Sequence, residues 1–588
     1  MNRGGGHADR GPPDRSTASL APEERLAAGA VVVYATLTLA VWLAGELAAL
    51  IHTGRWLVLP VRTAATAVFR LPAHLDRPAA AWPAAARAAL TSGPVLLACL
   101  AAGLVVSAGL VALAITTYRR LGGYATTAGR GAAWATPRQI KPVVLPRRQQ
   151  VGDGAPSGSD APRAGRVVLG RLPGPGRGRL VATEARHSVL VFGPTQSGKT
   201  TGLAIPAILE WGGPVMATSV KADLVRDTLT WRREQGRAWI YDPTAATGLT
   251  SSTWSPLDGA GGWAGAQRLA HWLTTASAPK SGLSDAEFWL AAAGKLLAPL
   301  LHACARSGRD MSDLVRWLDT MEQAEVTAAL VVAGAEEALV AFEASCRRDE
   351  RQLSSIYTTA EMALAAFSDP HVVASARSSE IQPATLLDGN HTLYLCGAAH
   401  EQGRLQGVFA TLIQAVVEAA VDRASVTGRP LDPPLLLVLD EAANIAPLRD
   451  LDTLASTASG MGIQLVTICQ DMAQLAARYG VDRARTIANN HRAKLILSGI
   501  SDPSTLELMS GLLGEEAYQQ HSVSAESHER RRTVTSSVAY RRLASGDELR
   551  RIRPGHGVLV YGHLPAARVK LRPWYEDGVL RRRGEPDG

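Results

Sequence analysis

The feature that most constrains this chain is the run Gly193-Pro194-Thr195-Gln196-Ser197-Gly198-Lys199-Thr200, a complete G-x-x-x-x-G-K-[ST] loop. It follows the apolar run Val189-Leu190-Val191-Phe192, and a helical pattern opens after it at Leu203-Ala204-Ile205. Strand, loop and helix must occur in that order for the loop to cradle phosphate. Glycines let backbone N–H groups turn inward, and the helix N-terminus adds partial positive charge. The pattern predicts a nucleoside triphosphate, ATP, bound by Gly193 through Thr200 and the next residue, Thr201. Lys199 is expected at the β- and γ-phosphates and Thr200 on Mg²⁺.

Such a loop needs an acidic partner at the tip of a buried strand. Leu435-Leu436-Leu437-Val438-Leu439 reads as a central parallel strand covered on both faces, and Asp440-Glu441 ends it. Two carboxylates at a core edge must be hydrated, paired or bound to a cation. Asp440 is therefore the expected magnesium ligand and Glu441 the general base for the attacking water. A third strand, Ile463 to Gln470, ends in an amide on the edge where open α/β sheets bind ligands. Gln470 can contact the γ-phosphate or the water there, or be an ordinary strand-end glutamine.

Two stretches, Ala27 to Gly45 and Leu90 to Thr117, carry no charge. As helices they are about 28 Å long or longer, enough for a hydrocarbon core of ~30 Å. Tyr34 and Trp42 suit interfacial positions, and Glu46 would lie near the far interface. Arginine asymmetry between the flanks is weak, so orientation rests on ATP supply. The loop must be cytosolic, and two spans then put both termini inside.

At 588 residues, several domains are expected, and a formal net charge of +8 favours an anionic partner, nucleic acid or lipid. The five cysteines are far apart, which excludes a disulfide framework or a Cys-based zinc site. Along the chain we expect a cytosolic tail (1–26), a membrane anchor (27–118) and a flexible Gly/Pro/Arg-rich linker (119–165). An ATPase domain in two parts (166–261 and 379–577) is split by an all-helical insertion (262–378), and residues 578–588 form a tail. Residues 166–184 read as a hairpin, and Gln519 to Arg542 as a basic pore loop or a solvated hairpin. The fold class is α/β, with a mostly parallel sheet.

Taken together, the two spans, the phosphate loop, the helical insertion opened by Phe288-Trp289, Leu439-Asp440-Glu441-Ala442-Ala443-Asn444-Ile445, Gln470 and the late Arg568 to Tyr575 stretch resemble the TraG/TraD-like coupling proteins of conjugative type IV secretion. The resemblance covers roughly residues 180–577. It implies a RecA-like P-loop ATPase in the bacterial cytoplasmic membrane, assembled as a homohexameric ring. Its implied partners are single-stranded DNA with its relaxase or effector proteins, the components of the secretion channel, and the lipid bilayer. The resemblance also tips Gln470 toward a role in hydrolysis. Ser219-Val220-Lys221-Ala222-Asp223 stands where many relatives carry an Asp-Pro-Lys-Gly-Glu-like segment, so nothing is carried over to Lys221. Arg485 and Arg492 are candidates for an arginine acting on a neighbour's nucleotide. An FtsK-like chromosome translocase and a protein-only export ATPase are the alternatives.

Overall fold

The computed structural model describes residues 22–56, 58–90, 93–122, 131–146, 165–174, 178–277, 286–525 and 532–585. The expected tail before residue 22, the Arg147-Arg148 and Gly152 to Pro156 runs, and Arg530-Arg531 lie outside them. The chain divides into two compact units, 1–130 and 131–588.

In the first unit, helices Pro22–Thr53 and Gly93–Gly122 pack along each other. Within them Val33–Thr53 and Gly93–Val111 are long and apolar enough to cross a membrane by length and composition. At their closest approach a Cβ on Gly103 would stand 2.6 Å from the Ala40 carbonyl oxygen, so only glycine fits. Residues between the helices fold back onto the first one. Trp42 donates to the Leu59 carbonyl at 2.7 Å, and the Glu46 carboxylate accepts the Val58 and Leu59 N–H groups. Glu46 is thus buried, with its carboxylate bonded locally. Two further helices, Ala286–Ser307 and Gln402–Thr427, meet the same length and hydropathy standard, but both belong to the core of the second unit.

That unit is built on an 11-stranded sheet. Its strands are β1 (Val168–Arg171), β2 (Leu180–Ala182), β3 (Val189–Phe192), β4 (Val215–Ser219), β5 (Ala238–Tyr241), β6 (Thr392–Cys396), β7 (Leu435–Asp440), β8 (Ile463–Cys469), β9 (Ala493–Leu497), β12 (His556–Tyr561) and β13 (Leu564–Lys570). The spatial order is β2-β1-β13-β12-β9-β3-β8-β7-β4-β6-β5. From β9 to β5 all neighbours are parallel, and from β9 to β2 all are antiparallel. Side chains alternate across the sheet. Leu190 and Phe192 therefore enter one hydrophobic cluster, and Val189 and Val191 the other.

Helices from Trp263–Ala276 to Pro370–Ser375 fill the interval where an insertion is expected. They share one continuous core with the sheet through Gln402–Thr427. Two segments depart from expectation. Residues 131–146 do not behave as linker: Ile140, Val143 and Leu145 are buried, and Ala135 N–H bonds the Ala566 carbonyl within β13. Residues 578–584 are a helix, not a tail. Leu580 is buried, Arg583 lies over the Trp231 ring, and Arg583 donates to the Leu209 carbonyl. The polar stretch near 519–542 contains an antiparallel ribbon of β10 (Glu515–Ala525) and β11 (Arg532–Arg542), which is compatible with either expected role.

Candidate functional site

Parallel strands bring their C-terminal ends to one edge, and the crevice there is where open α/β sheets hold ligands. β3 carries the phosphate loop, β8 is its neighbour, and β7 is the next strand beyond. Two strand spacings, about 10 Å, separate β3 from β7, so side chains from both tips can meet. They do: the Thr200 hydroxyl donates to Asp440 Oδ2 at 2.9 Å across 240 residues of sequence.

The loop is shaped by sterics. Gln196 and Gly198 both have positive φ, 63° and 85°. A Cβ on Gly193 would approach Ser197 Oγ to 2.5 Å, so the first glycine is needed for the loop to fold over itself. Lys199, buried, donates to the Gly193 carbonyl at 2.7 Å, and Gly193 N–H bonds the Cys469 carbonyl at the end of β8. Thr195 and Gln196 are exposed at the loop tip, while Thr201 is half-buried behind it. The helix behind the loop opens with a wide turn, Thr200–Ala204, before regular α-helix at Ile205–Glu210. Pro206 explains the wide turn, because it lacks an N–H and its ring would crowd the Gly202 carbonyl.

Asp440 is almost wholly buried. Burial pushes its carboxyl above the ordinary range. The Thr200 hydrogen bond and the Lys199 charge pull it back, whereas Glu441 and Asp223 push it further up. Its backbone carbonyl is held by the Thr218 hydroxyl at 3.0 Å. Asp440 Oδ1 and Ser197 Oγ are both buried without a hydrogen-bond partner. One carboxylate and nearby hydroxyls form an all-oxygen donor set, which suits magnesium held mainly by substrate phosphates and water. Among the described residues no group of three or more His, Cys, Asp or Glu could bind a metal alone, in keeping with that mode.

Glu441 has left-handed backbone, φ 53°, which turns the chain sharply off β7. Its carbonyl accepts the Asn444 N–H at 2.8 Å, and Gln406 anchors the Asn444 carbonyl at 2.8 Å. Gln470 lies one residue beyond β8, on the same edge, with its N–H capped by the Gln474 side chain at 2.9 Å. Sequence reasoning missed Thr218 and Asp223. Asp223 falls within the segment set aside as divergent, and only its proximity to Asp440 marks it. Arg485 and Arg492 are elsewhere in the chain's own frame, on the helix entering β9 and at its N-terminal end, the opposite edge of the sheet.

A family model described as type IV secretory system conjugative DNA transfer matches residues 160–586. The chain belongs to this family. Among curated members, it is 28% identical over 423 residues to the conjugal transfer protein TraG of Escherichia coli, covering 65% of each chain. Protein VirD4 of Rhizobium rhizogenes is 24% identical over 415 residues, covering 68% of this chain and 60% of the relative. The chain thus spans less than two thirds of the length of these relatives. Among solved structures, the conjugative coupling protein TrwBdeltaN70 in complex with sulphate aligns with a TM-score of 0.55 at 19% identity, covering 75% of this chain and 94% of its own. TrwB in complex with ADP and Mg²⁺ aligns with a TM-score of 0.55 at 20% identity, covering 76% and 94%. The shared fold is a RecA-like P-loop NTPase fold.

Proposed function

We propose that this protein is a membrane-anchored ATPase that couples ATP hydrolysis to delivery of DNA, as a single strand with its relaxase, or of protein cargo into a type IV secretion channel. The observation that carries the reading is the Thr200–Asp440 hydrogen bond, which joins phosphate loop and acidic strand tip at one edge. Membership of the conjugative DNA transfer family supplies the cargo class, and favours it over a chromosome translocase or a protein-only exporter. The two apolar helices of the first unit support an anchor in the bacterial cytoplasmic membrane, with the ATPase unit in the cytosol.

In this reading, residues 193–201 bind the polyphosphate through backbone N–H groups, and Lys199 transfers its ammonium from the Gly193 carbonyl to the β/γ-phosphates. Thr200 and Asp440 would hold Mg²⁺, which when bound neutralises charge on the phosphates. A Glu441 carboxylate oxygen takes the proton of the attacking water, and the Gln470 amide orients that water. A homohexameric ring would place a neighbour's arginine beside the γ-phosphate.

DNA-stimulated phosphate release by the purified full chain tests the scheme. Lys199→Ala and Glu441→Gln are each expected to lower turnover by about a hundredfold or more, with Glu441→Gln retaining nucleotide binding. Wild-type turnover in Lys199→Ala would sink the reading.

A further inference from the structure

The turn that follows Glu441 is almost wholly apolar. From Ala442 to Leu448 every residue is buried except Asn444, which is half-exposed. Burial of these neighbours fixes the backbone without help from a polar side chain. The Asn444 side chain has one hydrogen-bond partner among the described residues, Glu441 Oε2 at 3.5 Å. Glu441 is constrained in turn. Its φ of 53° is one that glutamate rarely adopts, and the N–H groups of Asn444 (2.8 Å) and Ile445 (3.1 Å) converge on its carbonyl. A strained residue of this kind persists only where its surroundings over-determine it.

We propose that Asn444 is a positioning residue for Glu441 and that Gln406 mounts it, an inference that rests on Glu441 as the general base. Asn444 Nδ2–H donates to Oε2, which leaves Oε1 to take the proton of the attacking water. One oxygen held and one free suits a general base, because the carboxylate cannot rotate away and a lone pair stays available. At 3.5 Å the contact is at the long limit of a hydrogen bond, and catalytic contacts of that length tighten when substrate binds.

The mount is stiff. Gln406 Nε2 donates to the Asn444 carbonyl at 2.8 Å, which satisfies the end of the one-turn helix Ala442–Ile445. Gln406 stands in the second turn of the helix Gln402–Thr427, between buried Leu405 and Gly407. Arg404, in the same stretch, binds Asp369 at 2.7 Å. A Cβ on Gly407 would meet Ser277 Oγ at 3.4 Å and the Ala363 carbonyl at 3.6 Å, so this turn is packed closely against the inserted helices. The amide that faces Glu441 therefore hangs from a part of the core with little freedom to move.

The test reads phosphate release, and magnesium-ADP affinity by calorimetry, on the full chain in detergent. Asn444→Leu keeps the volume and removes the amide. It is expected to lower turnover by about tenfold and to leave the ADP dissociation constant within about twofold. Gln406→Met, which removes the mount's donor, should lower turnover by about threefold with the same split. A residue that acts only through Glu441 has nothing to position once that carboxylate is gone. In the Glu441→Gln background, therefore, either substitution should change turnover by less than about twofold. Three results would each overturn the positioning role alone: turnover within about twofold of wild type in both single variants, ADP affinity falling in step with turnover in both, or losses that multiply with that of Glu441→Gln. Wild-type turnover in Glu441→Gln itself would take down the general-base reading and this inference with it.

Discussion

Asp440→Asn is expected to make the protein more stable and less able to use magnesium. The carboxylate has one oxygen bonded by Thr200 and one buried without a partner, and it faces Glu441 and Asp223. An amide keeps an acceptor for Thr200, removes the orphaned acceptor, and turns N–H groups toward the two neighbouring acids. A buried unsatisfied polar group costs about 1–3 kcal/mol, so a gain of about 1–2 kcal/mol follows after allowing for imperfect amide geometry. In a unit this large that is a rise of about 2 °C in Tm, since the shift per kcal/mol shrinks with size. Magnesium-ADP at a hundred times Kd would raise the wild type by about 2.7 kcal/mol, and the variant would lose most of that. The assay is thermal unfolding of the detergent-solubilised chain with EDTA, with ADP, and with ADP plus magnesium. The expected signature is a crossing: the variant melts later with EDTA and earlier with magnesium-ADP. A variant that melts earlier with EDTA, or gains as much from magnesium as the wild type, would refute the assignment of Asp440.

Other expectations follow from buried groups. Arg232 is fully buried and donates to the carbonyls of Trp211 (2.6 Å), Gly213 (2.8 Å) and Asn390 (3.0 Å) and to the Thr392 hydroxyl (2.7 Å), fixing the entries to β4 and β6. Arg232→Met orphans those acceptors while removing a buried charge, a net loss of about 3–5 kcal/mol, read as a lowered Tm. His491 links β8 to the helix Val481–Asn490 as the neutral tautomer, its Nδ1–H donating to the Ile487 carbonyl and its Nε2 accepting from Thr467, and burial pushes its pKa down to about 4. The unfolded chain therefore binds the extra proton first. Stability should be complete above about pH 6.5 and fall by up to about 3 kcal/mol as pH drops toward 4, a slope that His491→Asn flattens in Tm measured between pH 5 and 7. Gly193→Ala should abolish nucleotide binding and lower Tm slightly, because its new methyl collides with Ser197 Oγ at 2.5 Å and crowds the buried Leu497 side chain at 3.1 Å; full ADP affinity in that variant would contradict the loop geometry.

The nucleotide site was legible because its two halves are local patterns: a loop between strand and helix, and acids ending an apolar run. Which strands lie beside one another was not written locally, and neither was the role of Asp223, whose proximity to Asp440 depends on β4 pairing with β7. Residues 131–146 misled because Ile140, Val143 and Leu145 sit among prolines and basic residues with neither helical nor strand periodicity. They are buried by contacts with distant parts of the same chain, which no window can display. The segment Gly578–Gly584 misled for a similar reason. One leucine and three arginines read as a solvated tail, yet Leu580 plugs the core while Arg583 lies against Trp231. Arg232, within Trp231-Arg232-Arg233-Glu234, has the sequence of a wet helix face and the environment of a core residue.

β3 pairs on one side with residues 466–469 and on the other with residues 493–496. The strand that presents the phosphate loop is made early and waits for both neighbours until most of the chain has left the ribosome. During synthesis, then, the two apolar helices near the N-terminus are available for membrane insertion well before any ATP-binding pocket exists. The order of translation itself delays the phosphate-loop crevice until the strands that flank β3 exist.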